Sequence, residues 1–451
     1  MTHRPKPTPV PQTRLGRLAR IGFAAAEMAV GGAVEGLRGL ARSGGAAPSA
    51  VFSARNAQRL AARLARLRGA AMKLGQIISL QGEDVLPPEF AQALAVLRTE
   101  AAPMPVAQLH GVLGRELGKG WEARFADFPL EPIAAASIGQ VHRVRTGDGR
   151  DLALKIQYPG VARSIASDVD NVAALLRLLN LLPVELDVDA LAAEAKRQLA
   201  QEADYVQEAR FLERYAALVA DEPAFVVPRV HWDLTTARVM AMDYVEGVPL
   251  ETLSRPGTRQ PERDAVGALL EKLLFRELFE FRVMQTDPNF ANYLYQPQSG
   301  RVALLDFGAT RTFPPEFVAR YARITRAVID GDLDTVAREA IAIGYAGAGD
   351  PPERVAAAVE MILLVCEPLR HRGRYDFGGS GLAARARDLG VELAVRRRLL
   401  RAPPPETIFL HRKLAGSFLV LARIGARIDA CALVQAFLPP SRRGSAANAS
   451  R

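Results

Sequence analysis

The sequence predicts an α+β fold: a small β-sheet part, a mainly helical part and a helical N-terminal extension. Three observations carry this. The chain has 451 residues, 49% of them hydrophobic, enough to fill two or three folding units at about 150 residues each. Leucine- and alanine-rich stretches with helical spacing recur along most of it. Short apolar runs at Ser137–Val144, Asp151–Ile156 and Val302–Leu305 stand beside turn signals and read as strands. The expected division is a tail at 1–13, a basic, small-residue-rich helical segment at 14–50, a helical extension at 51–125, a sheet-bearing part with inserted helices at 126–250, a helical part at 251–438 and a second tail at 439–451.

The first tail, MTHRPKPTPVPQ, is proline-rich and reads as disordered. The basic segment follows. Residues 1–70 hold 12 Lys and Arg against two Glu, whereas the whole chain carries +9, so the remainder is close to neutral. Aromatics for base stacking are confined there to Phe23 and Phe52, so an anionic membrane surface fits the arm better than nucleic acid. Glu27 and Glu35 interrupt it, and no run of 18 apolar residues spans a bilayer. Near the other end, TIFLHRKLAGSFLVLARIGARI is too charged to do so. A leading tail of polar and proline residues also fits a signal peptide poorly. Cys366 and Cys431 are the only cysteines, which argues against disulfides and structural zinc. The expected location is cytoplasmic, peripheral on the inner face of a membrane.

In the extension, Leu60, Leu64, Leu67, Ala71, Leu74 and Ile78 form one apolar helical stripe. Lys73 and Gln76 share the opposite face, and Gly75 between them suits close approach of another group.

In the sheet-bearing part, AAASIGQVHRVRTGDGRDLALK places a TGDG hairpin signal between two strands. Its first half follows the kinase glycine-rich pattern G-x-G-x-x-G-x-V, with Ala134 and Ala136 at the first two glycine positions, then Gly139 and Val141; Ala135 and Ser137 complete the candidate phosphate loop. Lys155, sixteen residues beyond Gly139, closes LALK where kinases have V-A-I-K, a lysine for nucleotide phosphates. In the long helical pattern from Asp189 to Ala220, Asp204 and Glu208 share a face, with Glu202 turned about 160° from Asp204. Glu208 is the expected partner of Lys155. PRVHWDLTTARVMAMDYVEGVPL reads as two strands with a hinge at Asp243–Gly247, where Asp243 and Tyr244 would neighbour an adenine.

The helical part contains VMQTDPNFANYLYQPQSGRVALLDFGATR, residues 283–311. Asp287 and Asn292 have the spacing of the kinase D-x-x-x-x-N, and Asp306-Phe307-Gly308 follows fourteen residues later. Mg²⁺ takes hard oxygen ligands, commonly one or two carboxylates plus phosphates, so Asn292 and Asp306 are the candidate metal ligands and Asp287 the candidate base.

Taken in order, KLGQ, AAASIGQVH, LALK, QEADYVQEA, QTDPNFANYLY and LLDFGA closely resemble the UbiB family of atypical protein-kinase-like proteins, also called aarF-domain kinases, across residues 14–430. QTDPNFAN and the alanine-rich loop resemble its coenzyme Q (ubiquinone) branch. The resemblance implies a bilobal protein-kinase-like fold, with the N-lobe at 126–250 and a helical C-lobe at 251–438. It also implies that the Lys-x-Gly-Gln helix covers the active-site cleft with Lys73 and Gln76 toward the nucleotide, and that Glu202 and Asp204 contact that lysine or the metal. ATP or ADP and Mg²⁺ are the implied cofactors; quinone or isoprenoid lipid intermediates, an anionic membrane, other ubiquinone-biosynthesis proteins and a second copy of the chain are the implied partners.

Departures from ordinary protein kinases bear on mechanism. Gln285-Thr286 replaces the His-Arg before the Asp, and Asn289 stands where a lysine follows it. Pro314-Pro315-Glu316 arrives eight residues after Asp306, which leaves little platform for a peptide. The expectation is an atypical kinase or ATPase that does not phosphorylate proteins in trans. Two alternatives stay open: a small-molecule or lipid phosphotransferase, and a nucleotide-switched, non-catalytic lipid-binding scaffold.

Overall fold

The computed structural model describes residues 103–136, 138–178, 188–401 and 403–440. Lys73, Gly75, Gln76 and Ser137 lie outside the described residues, as do the segments expected at 1–13 and 14–50, most of 51–125 and all but the start of 439–451. The chain divides into two compact units, one taking residues up to 213 together with 229–245, the other taking 214–228 and everything from 246.

The first unit begins with α1 (Val106–Glu116), whose Leu109, Val112 and Leu113 recur at helical spacing and are buried. Strands β1 (Phe125–Asp127), β2 (Ala134–Ala135), β3 (Gly139–Thr146) and β4 (Asp151–Gln157) follow. The TGDG turn joins β3 to β4: Gly149 sits at φ +90°, a conformation glycine adopts without a Cβ penalty. Three helices come next, α2 (Val161–Leu178), α3 (Val188–Glu202) and α4 (Tyr205–Leu218); β5 (Phe225–Val226) pairs within the second unit, and β6 (Val239–Asp243) returns to the first. The antiparallel sheet runs β1-β3-β4-β6, with β2 on β3. One face packs on α1 and Trp121 around Leu113, Leu154 and Val239.

Two expectations change here. The helical pattern from Asp189 to Ala220 is two helices, because the ladder breaks at Ala203–Asp204. Gln157 Nε2 donates to the Ala203 carbonyl (3.0 Å), and Asp204 Oδ1 accepts the Gln207 N–H (2.9 Å), so Asp204 caps α4 instead of continuing α3. The first of the two strands expected before the hinge is reduced to one bridge, Val230 with Met242.

In the second unit, β7 (Val248–Pro249) precedes α5 (Gln260–Phe275), which runs on as a π-helical segment, Arg276–Phe281. Strands β8 (Val283–Gln285), β9 (Tyr293–Gln296), β10 (Arg301–Leu304) and β11 (Thr310–Thr312) come next, then α6 (Pro315–Asp330), α7 (Leu333–Ile343), α8 (Pro352–Val365), α9 (Leu382–Val391) and α10 (Pro405–Ile424). Pro315 starts α6 where its missing N–H costs nothing, and Gly331 at φ +73° ends it. The sheets run β5-β10-β9-β7 and β8-β11, so the chain between β8 and β11 carries the motif residues on strand ends. Beneath it lies an apolar core that includes Leu278, Met284, Tyr321, Val328 and Leu410.

Candidate active site

In the first unit the motif lysine is paired as expected. Lys155 in β4 donates to Glu208 Oε1 at 2.7 Å and Oε2 at 2.9 Å. The pair is 8% and 1% exposed; removing one partner of such a buried pair costs about 3–5 kcal/mol, since the other charge is left in low dielectric. The helix break explains how Glu208 gets there. Asp204 caps α4, so Glu208 falls in its first turn, where a carboxylate also favours the helix N-terminus. Tyr205 lies beneath the ammonium, with its ring centroid 5.2 Å from Nζ.

Gly139 is required by this packing. A Cβ there would overlap the Ile156 carbonyl oxygen and come within 2.7 Å of the Tyr205 hydroxyl. Ala136 N–H donates to the Gly139 carbonyl at 2.9 Å, and Ala134 and Ala135 pair with Val141 and Gln140. Val141 in turn lies opposite Lys155, so the alanine loop and the lysine share adjoining strands. Of the Glu-x-Asp pair, Asp204 serves as the cap and Glu202 ends α3.

At the hinge, the Asp243 carboxylate is occupied by His231 (2.7 Å) and the Arg229 N–H (3.1 Å). The Arg143 guanidinium covers the Tyr244 ring at 3.9 Å. Their side chains are therefore held within the unit, and so are their backbone N–H groups: Asp243 donates to the Arg229 carbonyl and Tyr244 to the Asp151 carbonyl, both at 3.0 Å.

In the second unit, hydrogen bonds tie the loops after β8 and β10 together. Asp287 N–H donates to Gln285 Oε1 (2.8 Å), Asn292 Nδ2 to the Asp287 carbonyl (2.9 Å), and Leu305 N–H to the Asn292 carbonyl (3.0 Å). Thr286 donates twice to the Ala309 carbonyl, and Gly308 N–H to Asp306 Oδ1 (3.0 Å). Asp287, Asn292 and Asp306 are thus held by three linked turns. With its amide nitrogen engaged, the Asn292 side-chain oxygen is the atom that could serve a metal ion. An amide oxygen beside a carboxylate suits Mg²⁺, whose remaining positions go to phosphate and water.

Sequence reasoning missed the contribution of α10. Arg412 Nη2 reaches Asp287 Oδ1 at 2.5 Å. The next residue, Lys413, meets Glu277 Oε2 at 3.1 Å and the Tyr293 hydroxyl at 3.4 Å. Glu277 Oε1 accepts from the Tyr215 hydroxyl (2.9 Å) and the Gln285 N–H (3.2 Å). Burial pushes the Glu277 carboxyl up against the pull of Lys413, and burial with the neighbouring Glu277 pushes the Tyr215 phenol up. For Lys413 burial acts downward, but Glu277 and Tyr293 together outweigh it and the net direction is up. Three consecutive basic residues inside an apolar helix, His411-Arg412-Lys413, were the available signal; the charge had been read only as evidence against a membrane span.

The chain matches the ABC1 atypical kinase-like domain over residues 96–340. It belongs to this family. It is an ABC1 atypical kinase of the UbiB group, and its curated relatives match most of its length. It is 40% identical over 433 residues to "Atypical kinase COQ8B, mitochondrial" of Rattus norvegicus, covering 95% of this chain and 81% of that protein. It is 36% identical over 433 residues to "Atypical kinase COQ8, mitochondrial" of Saccharomyces cerevisiae, covering 95% and 85%. Among solved structures, it resembles Rv3197 from Mycobacterium tuberculosis, determined with erythromycin, at 27% identity and a TM-score of 0.59 over 83% of this chain and 94% of that one. The kinase-like α+β fold and the atypical kinase class expected from the motifs both hold. No helix among the described residues is long and apolar enough to cross a membrane.

Proposed function

We propose that this ABC1 atypical kinase binds ATP or ADP with Mg²⁺, transfers or hydrolyses the γ-phosphoryl group, and supports ubiquinone biosynthesis at a membrane surface. The buried Lys155–Glu208 pair is the observation that supports the reading: a lysine fixed in a strand and oriented by a buried carboxylate is suited to nucleotide phosphates. Lys155 takes the α- and β-phosphates beside the loop from Ala134 to Val141, and hinge backbone near Asp243 and Tyr244 takes the base. Asn292 and Asp306 would hold Mg²⁺, which would supply charge neutralisation at the phosphates. Asp287 orients the acceptor O–H and takes its proton as the acceptor oxygen bonds to the γ-phosphorus and the bond to the bridging oxygen breaks. Lys73, Gly75 and Gln76, with Glu202 and Asp204, regulate that site. The acceptor is water or a hydroxyl of a quinone or isoprenoid lipid intermediate, and the basic N-terminal arm meets anionic lipid.

The test is turnover of ATP by the purified full-length chain, with and without Mg²⁺ and with vesicles of anionic or neutral lipid. Mg²⁺-dependent turnover that anionic vesicles raise and Asp287→Asn removes is the expected result. A protein that binds ATP yet never releases or transfers phosphate would be a scaffold.

A further inference from the structure

The catalytic loop lacks a basic residue of its own next to Asp287. Position 289 is Asn, and its side chain is committed locally: Oδ1 accepts the Ala291 N–H at 3.1 Å and caps the short turn Phe290–Asn292. A cation nevertheless reaches Asp287. Arg412, 125 positions along the chain and only 6% exposed at its side chain, brings Nη2 to Asp287 Oδ1 at 2.5 Å.

Two further features of α10 tie it to the same loop. Gly416, one turn beyond Arg412, faces Pro288, and a Cβ there would overlap the proline ring. Lys413 grips Glu277 and Tyr293, and Glu277 accepts the Gln285 N–H just ahead of Asp287. The helix meets Asp287 and Pro288 directly and reaches Gln285 through Glu277.

We propose that Arg412 is a positioning residue for Asp287, supplying from α10 the cation that the loop lacks at position 289. It fixes the carboxylate's orientation and offsets its charge beside a polyanionic nucleotide. The inference rests on Asp287 being the catalytic base. A planar fork suits this task better than an ammonium, because one side chain fixes both direction and charge. The contribution falls on the chemical step, so kcat changes while KM for ATP stays nearly constant.

The experiment compares steady-state ATP turnover in the full chain and in Asp287→Asn, Arg412→Gln and Arg412→Lys, with thermal unfolding of each. Arg412→Gln is expected to lower kcat about a hundredfold, the scale of a misplaced catalytic group, while KM for ATP moves by less than about twofold. Arg412→Lys should recover part of that loss, and millimolar guanidinium chloride should partly rescue Arg412→Gln but not Asp287→Asn. If Asp287→Asn retains turnover, the catalytic assignment itself fails. If Asp287→Asn is inactive but a folded Arg412→Gln keeps the wild-type kcat, the positioning role alone fails. Should Arg412→Gln not fold, Arg412→Lys decides: a folded Lys variant with wild-type kcat overturns the need for the fork, and one with reduced kcat at unchanged KM supports it.

Discussion

Gly416 and Pro288 are in direct apposition: α10 approaches the loop from Asp287 to Asn292 so closely that a single methyl group at 416 would occupy the proline ring. A glycine inside a helix sacrifices roughly 1 kcal/mol relative to alanine, so its placement here favours the contact over helix propensity. Gly416→Ala is therefore expected to behave oppositely to an ordinary helix glycine. It should lower kcat by displacing Asp287, with thermal stability reduced by about 1–3 kcal/mol from overpacking. Urea unfolding together with ATP turnover checks this, and a more stable, fully active variant would show that the loop yields freely.

The Lys155–Glu208 pair gives a separable test of stability and binding. Glu208→Gln leaves a buried ammonium without its carboxylate and should destabilise the first unit by about 3–5 kcal/mol. The double variant Lys155→Met/Glu208→Gln should recover much of that stability while nucleotide binding stays lost. If the double variant is as unstable as the sum of the two single changes, the charges are not coupled.

The Lys155–Glu208 pair and the hydrogen-bonded loops that carry Asp287, Asn292 and Asp306 are legible in the sequence because each residue lies inside a short motif whose spacing has a chemical reason. The break at Ala203–Asp204 was hidden because Asp can stand inside a helix or cap one, and only Gln157, a strand residue far away in sequence, selects the cap by taking the Ala203 carbonyl. Arg412 was hidden for a related reason. Its partner is 125 residues away, and no local periodicity reports which buried charge meets which. The helix that carries it also lies beyond residues 96–340, where the family match ends.

Asp306→Asn should leave the fold intact and remove the stabilisation that Mg-nucleotide gives. At a hundredfold excess of nucleotide over its Kd that stabilisation is about 2.7 kcal/mol. Thermal unfolding with Mg²⁺ and ADP measures it, and an unchanged shift in the variant would remove Asp306 from the metal site.

The residue before Arg412 predicts an acid sensitivity. His411 is half-buried, and its Nε2 lies 2.5 Å from the Tyr345 hydroxyl. Burial pulls its pKa from 6.5 down to about 4. The imidazole is thus neutral in the folded chain at pH values where the unfolded chain would protonate it. The unfolded state then binds more protons as the pH falls, so the contribution is fully present above 6.5 and disappears as the pH drops through the folded value. The loss should reach about 3 kcal/mol once the pH is below both values. Denaturant unfolding at pH 7 and pH 4.5 measures it, with His411→Gln expected to show a shallower fall because it cannot take up that proton. Since α10 also carries Arg412 and Lys413, acid-induced loosening at His411 should reduce ATP turnover along with stability, and His411→Gln should weaken both responses together.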